Sequence, residues 1–474
     1  MLHIKSIKDR NLLLYAGTAI LMIFSPAYLS FYLWSDDFPT FDNPETMRDH
    51  AIKDLRPVYG QLVFQGFSVF DDFNQIAFLR LASAVGLIVL MFLIHAELNL
   101  FLRSQILLPC LIFAFCTYPW LNIVYWATTF VYPWSTVLAL LGMRLTQSRR
   151  KTKKSLGILL LACSSLIYPV ATLFPIATTY LRSVLQKKSP FVILCICFRT
   201  FLVLLSVIST TLVSTQFFTK KLLDIEINQR VQIVTIEEIP EKFFFFFTRL
   251  IGQSVRFFSI SSPSALEFTI GFVIVLVLVN VYLCTAYSNF HFPLWGHALT
   301  LLLVFVMLLF PFLIATDNQI DIRYFIGTNW LVAVLVALLF ASFINERLLN
   351  TRIPINIFSS VLIGFSVFNS VSFFQSVVKP LTSKTESFIR SQLPESKTAD
   401  CKNQIQVIPR IGNWPSKSLI GMASQVTDLA SPWVPIPAIK VYLEREFGQH
   451  FTVVYQENRF KENENCIVDL NSFR

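Results

Sequence analysis

NLLLYAGTAILMIFSPAYLSFYLWSDDF, from Asn11 to Phe38, decides how the rest of the chain is read. Its uncharged part, Asn11 to Trp34, exceeds the roughly 20 residues that a helix needs to cross a hydrocarbon core. Lys5, Lys8 and Arg10 precede it, as they would in a secretory signal. The run is too long for one and has no clear small-x-small cleavage pattern, so it reads as an anchor. It leads into two adjacent carboxylates, Asp36 and Asp37, and charge next to lipid is costly enough to call for a reason.

Similar apolar runs recur along the chain. Of 474 residues, 54% are hydrophobic and only 14% charged, with a mean hydropathy of +0.59. A soluble domain of this size does not have that balance; a polytopic membrane protein does. The net charge of +10 raises nucleic-acid binding, but the basic residues gather in short loops between apolar runs. The densest group is Arg144, Arg149, Arg150, Lys151, Lys153 and Lys154, which positive-inside topology explains. No nucleic-acid partner is expected.

Apolar runs read against their flanking cations predict an all-α membrane protein of about eleven segments. They fall near 12–34, 75–97, 104–121, 130–146, 191–214, 265–287, 296–315, 325–346 and 354–377, with two short ones inside 155–186. That last stretch is interrupted by Pro169 and Pro175 and bounded by cations at both ends, so it reads as a re-entrant-like hairpin. The N-terminus is then cytoplasmic and the C-terminus outside. Domain 1–379 spans the membrane with outer loops 35–74 and 215–264, and 380–474 forms a small α/β domain on the outer face. Strands are expected at Gln404–Ile408, Phe451–Tyr455 and Cys466–Leu470, with helices at Ser416–Thr427 and Ala438–Phe447. Cys401 and Cys466 bracket that domain in an oxidising compartment and are expected to form a disulfide, contributing about 3–5 kcal/mol in the chain-entropy picture. The other six cysteines lie in apolar runs, and no cofactor or metal site is indicated.

Several residues on the outer face carry candidate chemistry. Asp36 and Asp37 are adjacent, so their side chains diverge and do not share a proton easily. One can serve as general base while the other caps a helix or meets a cation; which does which stays open, with a lean to Asp36. Arg56, followed by Pro57, suits a phosphate or carboxylate, or else neutralises Asp36 or Asp37. Arg249 and Arg256 share a helical face with Gln253 beside the run Phe243 to Phe247, where they grip a lipid phosphate or anchor an interfacial helix. Arg323, with Tyr324, lies in a short outer loop and meets either a phosphate or the nearby Asp317 and Asp321. The aromatic stretch Trp120 to Trp134 reads as an interfacial belt, the alternative being a sugar-stacking surface.

Ser35-Asp36-Asp37-Phe38, Leu55-Arg56-Pro57 and the ending Cys466-Ile467-Val468-Asp469-Leu470-Asn471 resemble the GT-C glycosyltransferases. Within these they are similar to the phage-type and bacterial O-antigen glucosyltransferases, the serotype-converting Gtr family. That family has a Tyr-Gln pair in its middle hairpin where this chain has Tyr168-Pro169. The resemblance implies transfer of a sugar, commonly glucose, from an undecaprenyl-phosphate donor to a lipid-linked O-antigen acceptor. The reaction would modify lipopolysaccharide on the periplasmic face of the bacterial inner membrane, with inversion. Asp36 or Asp37 would be the base, and Arg56, Arg323 and Arg249 or Arg256 would offset charge on the departing phosphate. Two other classes fit the same pattern: a flippase or transporter for a polyprenyl-linked sugar, and an O-antigen polymerase. The absence of a repeated pattern between the two halves argues against transport.

Overall fold

Proline divides what hydropathy joins. The computed structural model describes residues 7–30, 32–33, 37–70, 72–227, 235–245, 294–314, 322–347, 353–393, 404–408, 438–440, 442–443, 452–455 and 466–469, and most of these are helical. Helix α1 (Ile7–Ile23) gives way to a separate short helix, α2 (Ser25–Leu29), whose Pro26 lies in the first turn. Proline fits there because its missing N–H would have had no intrahelical partner, whereas further in it clashes with the preceding turn. The segment expected as an outer loop is itself helical: α3 (Asp37–Asp42), α4 (Pro44–Lys53) and α5 (Pro57–Ser68). Next come α6 (Ala77–Leu98), α7 (Ser104–Phe115) and α8 (Tyr118–Tyr125). The single crossing expected at 104–121 is thus a pair, bent by 64°.

Helix α9 (Tyr132–Thr146) has Pro133 in its first turn, and α10 (Lys151–Ile167) follows the basic turn. The expected break inside 155–186 falls at Tyr168, whose extended backbone is what a following proline favours. Beyond it lie α11 (Pro169–Thr172) and α12 (Phe174–Leu185). The remaining helices are α13 (Pro190–Phe217), α14 (Ile239–Phe245), α15 (Leu294–Leu308), α16 (Phe310–Ile314), α17 (Ile326–Arg347), α18 (Ile353–Phe373) and α19 (Lys379–Gln392).

Among the described residues three helical stretches are long and apolar enough to cross a membrane: Asn74–Leu98, Pro190–Lys221 and Ile355–Val378. The bent α7–α8 pair makes a fourth if it counts as one span. Asn11–Ile23, Gly296–Leu308 and Ile326–Ala341 are apolar but shorter. The expectation of eleven crossings is therefore corrected to a helical protein with three or four full-length candidate spans and several shorter apolar helices. Hydropathy registers apolar composition but not where a proline interrupts the hydrogen-bond ladder. The expected run at 265–287 lies outside the described residues.

Packing is closest between α9 and α10. A Cβ on Gly157 would sit 2.7 Å from the carbonyl oxygen of Gly142, a separation that only paired glycines permit. At the C-terminus, β1 (Gln404–Ile408), β2 (Thr452–Tyr455) and β3 (Ile467–Asp469) form a parallel sheet in the order β2-β1-β3. Gln406 is in register with Val454 on one side and Ile467 on the other. The expected helix at Ser416–Thr427 lies outside the described residues, whereas 438–440 and 442–443 are helical. Arg390 on α19 donates from Nε to the Tyr442 hydroxyl at 3.0 Å, and Lys440 pairs with Asp42 at the end of α3. The C-terminal segment is thereby tied to the end of the bundle where α3, α4 and α5 lie.

Candidate active site at the aromatic end of the bundle

Asp37 opens α3 and is fully buried. Its partner is Arg80, in the first turn of α6 and only 1% exposed, with Nη2 3.2 Å from Asp37 Oδ2. The Thr128 N–H donates to Oδ1 at 3.0 Å and the Ala127 N–H to Oδ2 at 3.4 Å, so both carboxylate oxygens are engaged. Arg80 also donates to the Tyr32 carbonyl at 2.6 Å and the Tyr125 carbonyl at 3.2 Å, and its guanidinium lies 3.6 Å from the centroid of the Tyr32 ring. Burial pushes the Asp37 carboxyl up to about 6, and Arg80 together with the two backbone N–H groups pulls the other way. A carboxylate held by this many donors is suited to positioning the chain around it.

The reading of Arg56 as a partner for Asp37 is corrected by these contacts, while Asp36, its other expected partner, lies outside the described residues. Arg80 takes Asp37, and Arg56 pairs with Asp54, Nη2 to Oδ2 at 2.8 Å. Arg80 was missed among the sequence candidates, though its signal was present: a lone arginine within the apolar run Ala77 to Leu98 requires a buried partner.

Arg56 sits just before Pro57, which starts α5, and remains 23% exposed. Its Nη1 donates to the Tyr132 hydroxyl at 3.3 Å, and its guanidinium lies 4.9 Å from the Tyr59 ring centroid. Tyr132 stacks on Tyr168 with centroids 4.0 Å apart and planes 4° from parallel. From another element, Arg323 places its guanidinium 4.1 Å from the Trp126 ring centroid and 6.0 Å from that of Tyr132. Two of the arginines expected to meet phosphate are therefore brought to one aromatic platform, where cation–π attraction holds both heads over ring faces.

The segment Tyr125 to Tyr132 is the spine of this region. Its backbone binds Asp37, Trp126 underlies Arg323, and Tyr132 meets Arg56. The Tyr125 hydroxyl and the Ser370 hydroxyl are 3.0 Å apart, which ties the spine to α18. An interfacial belt is not what these aromatics form: Trp120, Tyr125, Trp126 and Tyr132 are all buried. The bend between α7 and α8 and the new start of α9 turn the stretch inward.

Asp36, Arg249, Arg256, Asp317, Asp321 and the side chain of Tyr324 lie outside the described residues. Cys466 is disulfide-bonded, and Cys401 is also outside them. Among the described residues no three His, Cys, Asp or Glu side chains gather as a metal site. No protein-family model matches the sequence, and no curated protein matches it significantly.

Proposed function

We propose that this chain is a membrane glycosyltransferase that moves a sugar, glucose by resemblance, from undecaprenyl phosphate to a lipid-linked O-antigen or related surface polysaccharide. The observation that carries the reading is the convergence of Arg56 and Arg323 on Tyr132. In such a transfer the acceptor hydroxyl attacks the anomeric carbon and the bond from that carbon to the phosphate oxygen breaks. The phosphate leaves with one more negative charge than it had as a diester. Two guanidiniums already fixed over aromatic faces are placed to offset that charge without reorganising, which is the largest contribution in many such displacements. The aromatic floor also suits a sugar ring.

Asp36 is assigned the role of base, taking the acceptor's proton, because Asp37 beside it is committed to Arg80 and two backbone N–H groups. The finer architecture belongs to the same proposal. In it the broken apolar runs are crossings and half-crossings of one GT-C-like bundle in the inner membrane, with the N-terminus in the cytoplasm. Residues 380–474 are then a periplasmic α/β domain closed by Cys401 and Cys466.

Transfer from a synthetic polyprenyl-phosphoglucose in detergent tests the reaction. Asp36→Asn is expected to lower turnover about 10²–10⁴-fold, the usual contribution of a positioned base. Full turnover in both Asp36→Asn and Asp37→Asn would remove the base from the mechanism. Movement of labelled lipid-sugar between leaflets without a new glycosidic bond would point to a transporter instead.

A further inference from the structure

A polar cavity lies at the end of α9 away from the aromatic platform. Tyr132 begins that helix and Arg144 comes 12 residues later, about 18 Å along the axis at 1.5 Å per residue. The cavity, of about 180 Å³, is lined by Arg144, Gln147, Arg182, Gln186 and Lys188, with Glu97 as the one acidic residue among the described residues that line it. Three cations against one carboxylate leave it with two surplus positive charges. Arg144 Nη2 is 3.4 Å and Arg182 Nη1 3.7 Å from Glu97, and the two arginine side chains remain 30% and 43% exposed. Arg144 Nη2 also donates to the Leu93 carbonyl, but each guanidinium has five donors in a fixed fork, so Nε and Nη1 of Arg144 and most donors of Arg182 are not used by these contacts.

Local structure sharpens the picture. Glu97 stands in the last turn of α6, where a negative charge opposes the helix dipole. Lys188 reaches the cavity because α12 ends in a turn in which Lys187 takes a left-handed backbone, φ 57°, a position usually given to glycine. The Lys187 N–H donates to the Val184 carbonyl at 2.8 Å and the Lys188 N–H to the Ser183 carbonyl at 3.2 Å, which fixes that turn. The exposed basic turn from Arg149 to Lys154 lies at the same end of α9, adding attraction for anions near the cavity mouth.

We infer that this cavity is a binding site for a phosphate group, carried by an anionic lipid of the adjoining leaflet or present as free phosphate, with Glu97 as the built-in competitor. The inference does not depend on the proposed transfer reaction. It is tested on the full-length protein in a neutral detergent, with melting temperature followed against dioctanoyl phosphatidylglycerol, dioctanoyl phosphatidylcholine and inorganic phosphate. Phosphatidylglycerol is expected to give a saturable rise. Arg182→Gln and Lys188→Gln should each weaken apparent affinity about tenfold, the loss of one charge-assisted hydrogen bond. Lys188→Gln also keeps the test decisive should Arg182→Gln fail to fold. Glu97→Gln should tighten binding several-fold, an effect that a purely structural ion pair would not produce. A rise with inorganic phosphate alone identifies free phosphate as the source. Equal rises with phosphatidylcholine, no saturable rise with either anion, or wild-type affinity in both Lys188→Gln and Glu97→Gln would overturn the site.

Discussion

Asp37–Arg80 and Asp54–Arg56 are the same pair of groups in two settings. In the first, both side chains are sealed, at 0% and 1% exposure, and backbone groups take up the remaining capacity. In the second, the carboxylate is buried but the guanidinium is 23% exposed, lies over the Tyr59 ring and donates to the Tyr132 hydroxyl. Burial decides what each pair can do. A sealed pair has been taken out of water on both sides, so removing one partner leaves a charge with nothing to balance it. A half-open pair keeps part of its guanidinium available to a ligand and contributes little to stability.

Arg80→Met should give the largest effect, because it strands Asp37 in a dry site. A loss of about 3–5 kcal/mol is expected in denaturant or thermal unfolding. Asp37→Asn combined with Arg80→Met should cost less than the two single changes added together, since the pair interacts directly. Additive losses would show that the two residues do not depend on one another, and the contrast between the pairs would fail.

Arg56→Gln should behave in the opposite way. Stability should fall by less than with Arg80→Met, because the buried Asp54 carboxylate still has His50 Nε2 at 3.7 Å. Transfer from the polyprenyl-phosphate donor should fall about 10²–10³-fold, the range for losing one preorganised donor to a charged transition state. A large loss of stability with little loss of turnover would make Arg56 a structural residue like Arg80. Tyr132→Phe probes the same platform more gently. It keeps the stack on Tyr168 and the ring near Arg323 while removing the hydroxyl that accepts from Arg56. One hydrogen bond of about 1 kcal/mol corresponds to roughly a fivefold rise in donor KM. No change would mean that the Tyr132 hydroxyl does not help to hold Arg56.

The contrast also separates what a sequence discloses from what it withholds. Arg56 was legible because an arginine followed by proline in an expected outer loop suits an anionic ligand, and Arg323 because it was a cation in a short loop. That both reach Tyr132 was not legible, since it depends on the 64° bend between α7 and α8 and on where α9 restarts. The strands at Gln404–Ile408 and Thr452–Tyr455 fall where alternating apolar residues placed them; their parallel pairing across more than 40 residues does not follow from any local pattern. The number of full-length crossings was overestimated for the same reason that the belt was misread. Apolar and aromatic residues report that a segment leaves water but not whether lipid or protein receives it, and here Trp120 and Tyr125 pack into the protein.

The smallest effect addresses how the sealed pair titrates. A carboxyl whose folded pKa lies above its unfolded value keeps its proton longer in the folded chain. The stability it contributes is present at low pH and is lost as pH rises through the folded pKa. For Asp37 the window runs from 3.8 to about 6. Asn at this position cannot titrate, so the difference in Tm between wild type and Asp37→Asn should be greatest near pH 4, narrow toward pH 6 and stay level above it. A gap that widened over the same range would show Arg80 outweighing burial. In that case the Asp37 carboxyl would favour its ionised form in the folded chain, and the sealed pair would hold as an ion pair in spite of its burial.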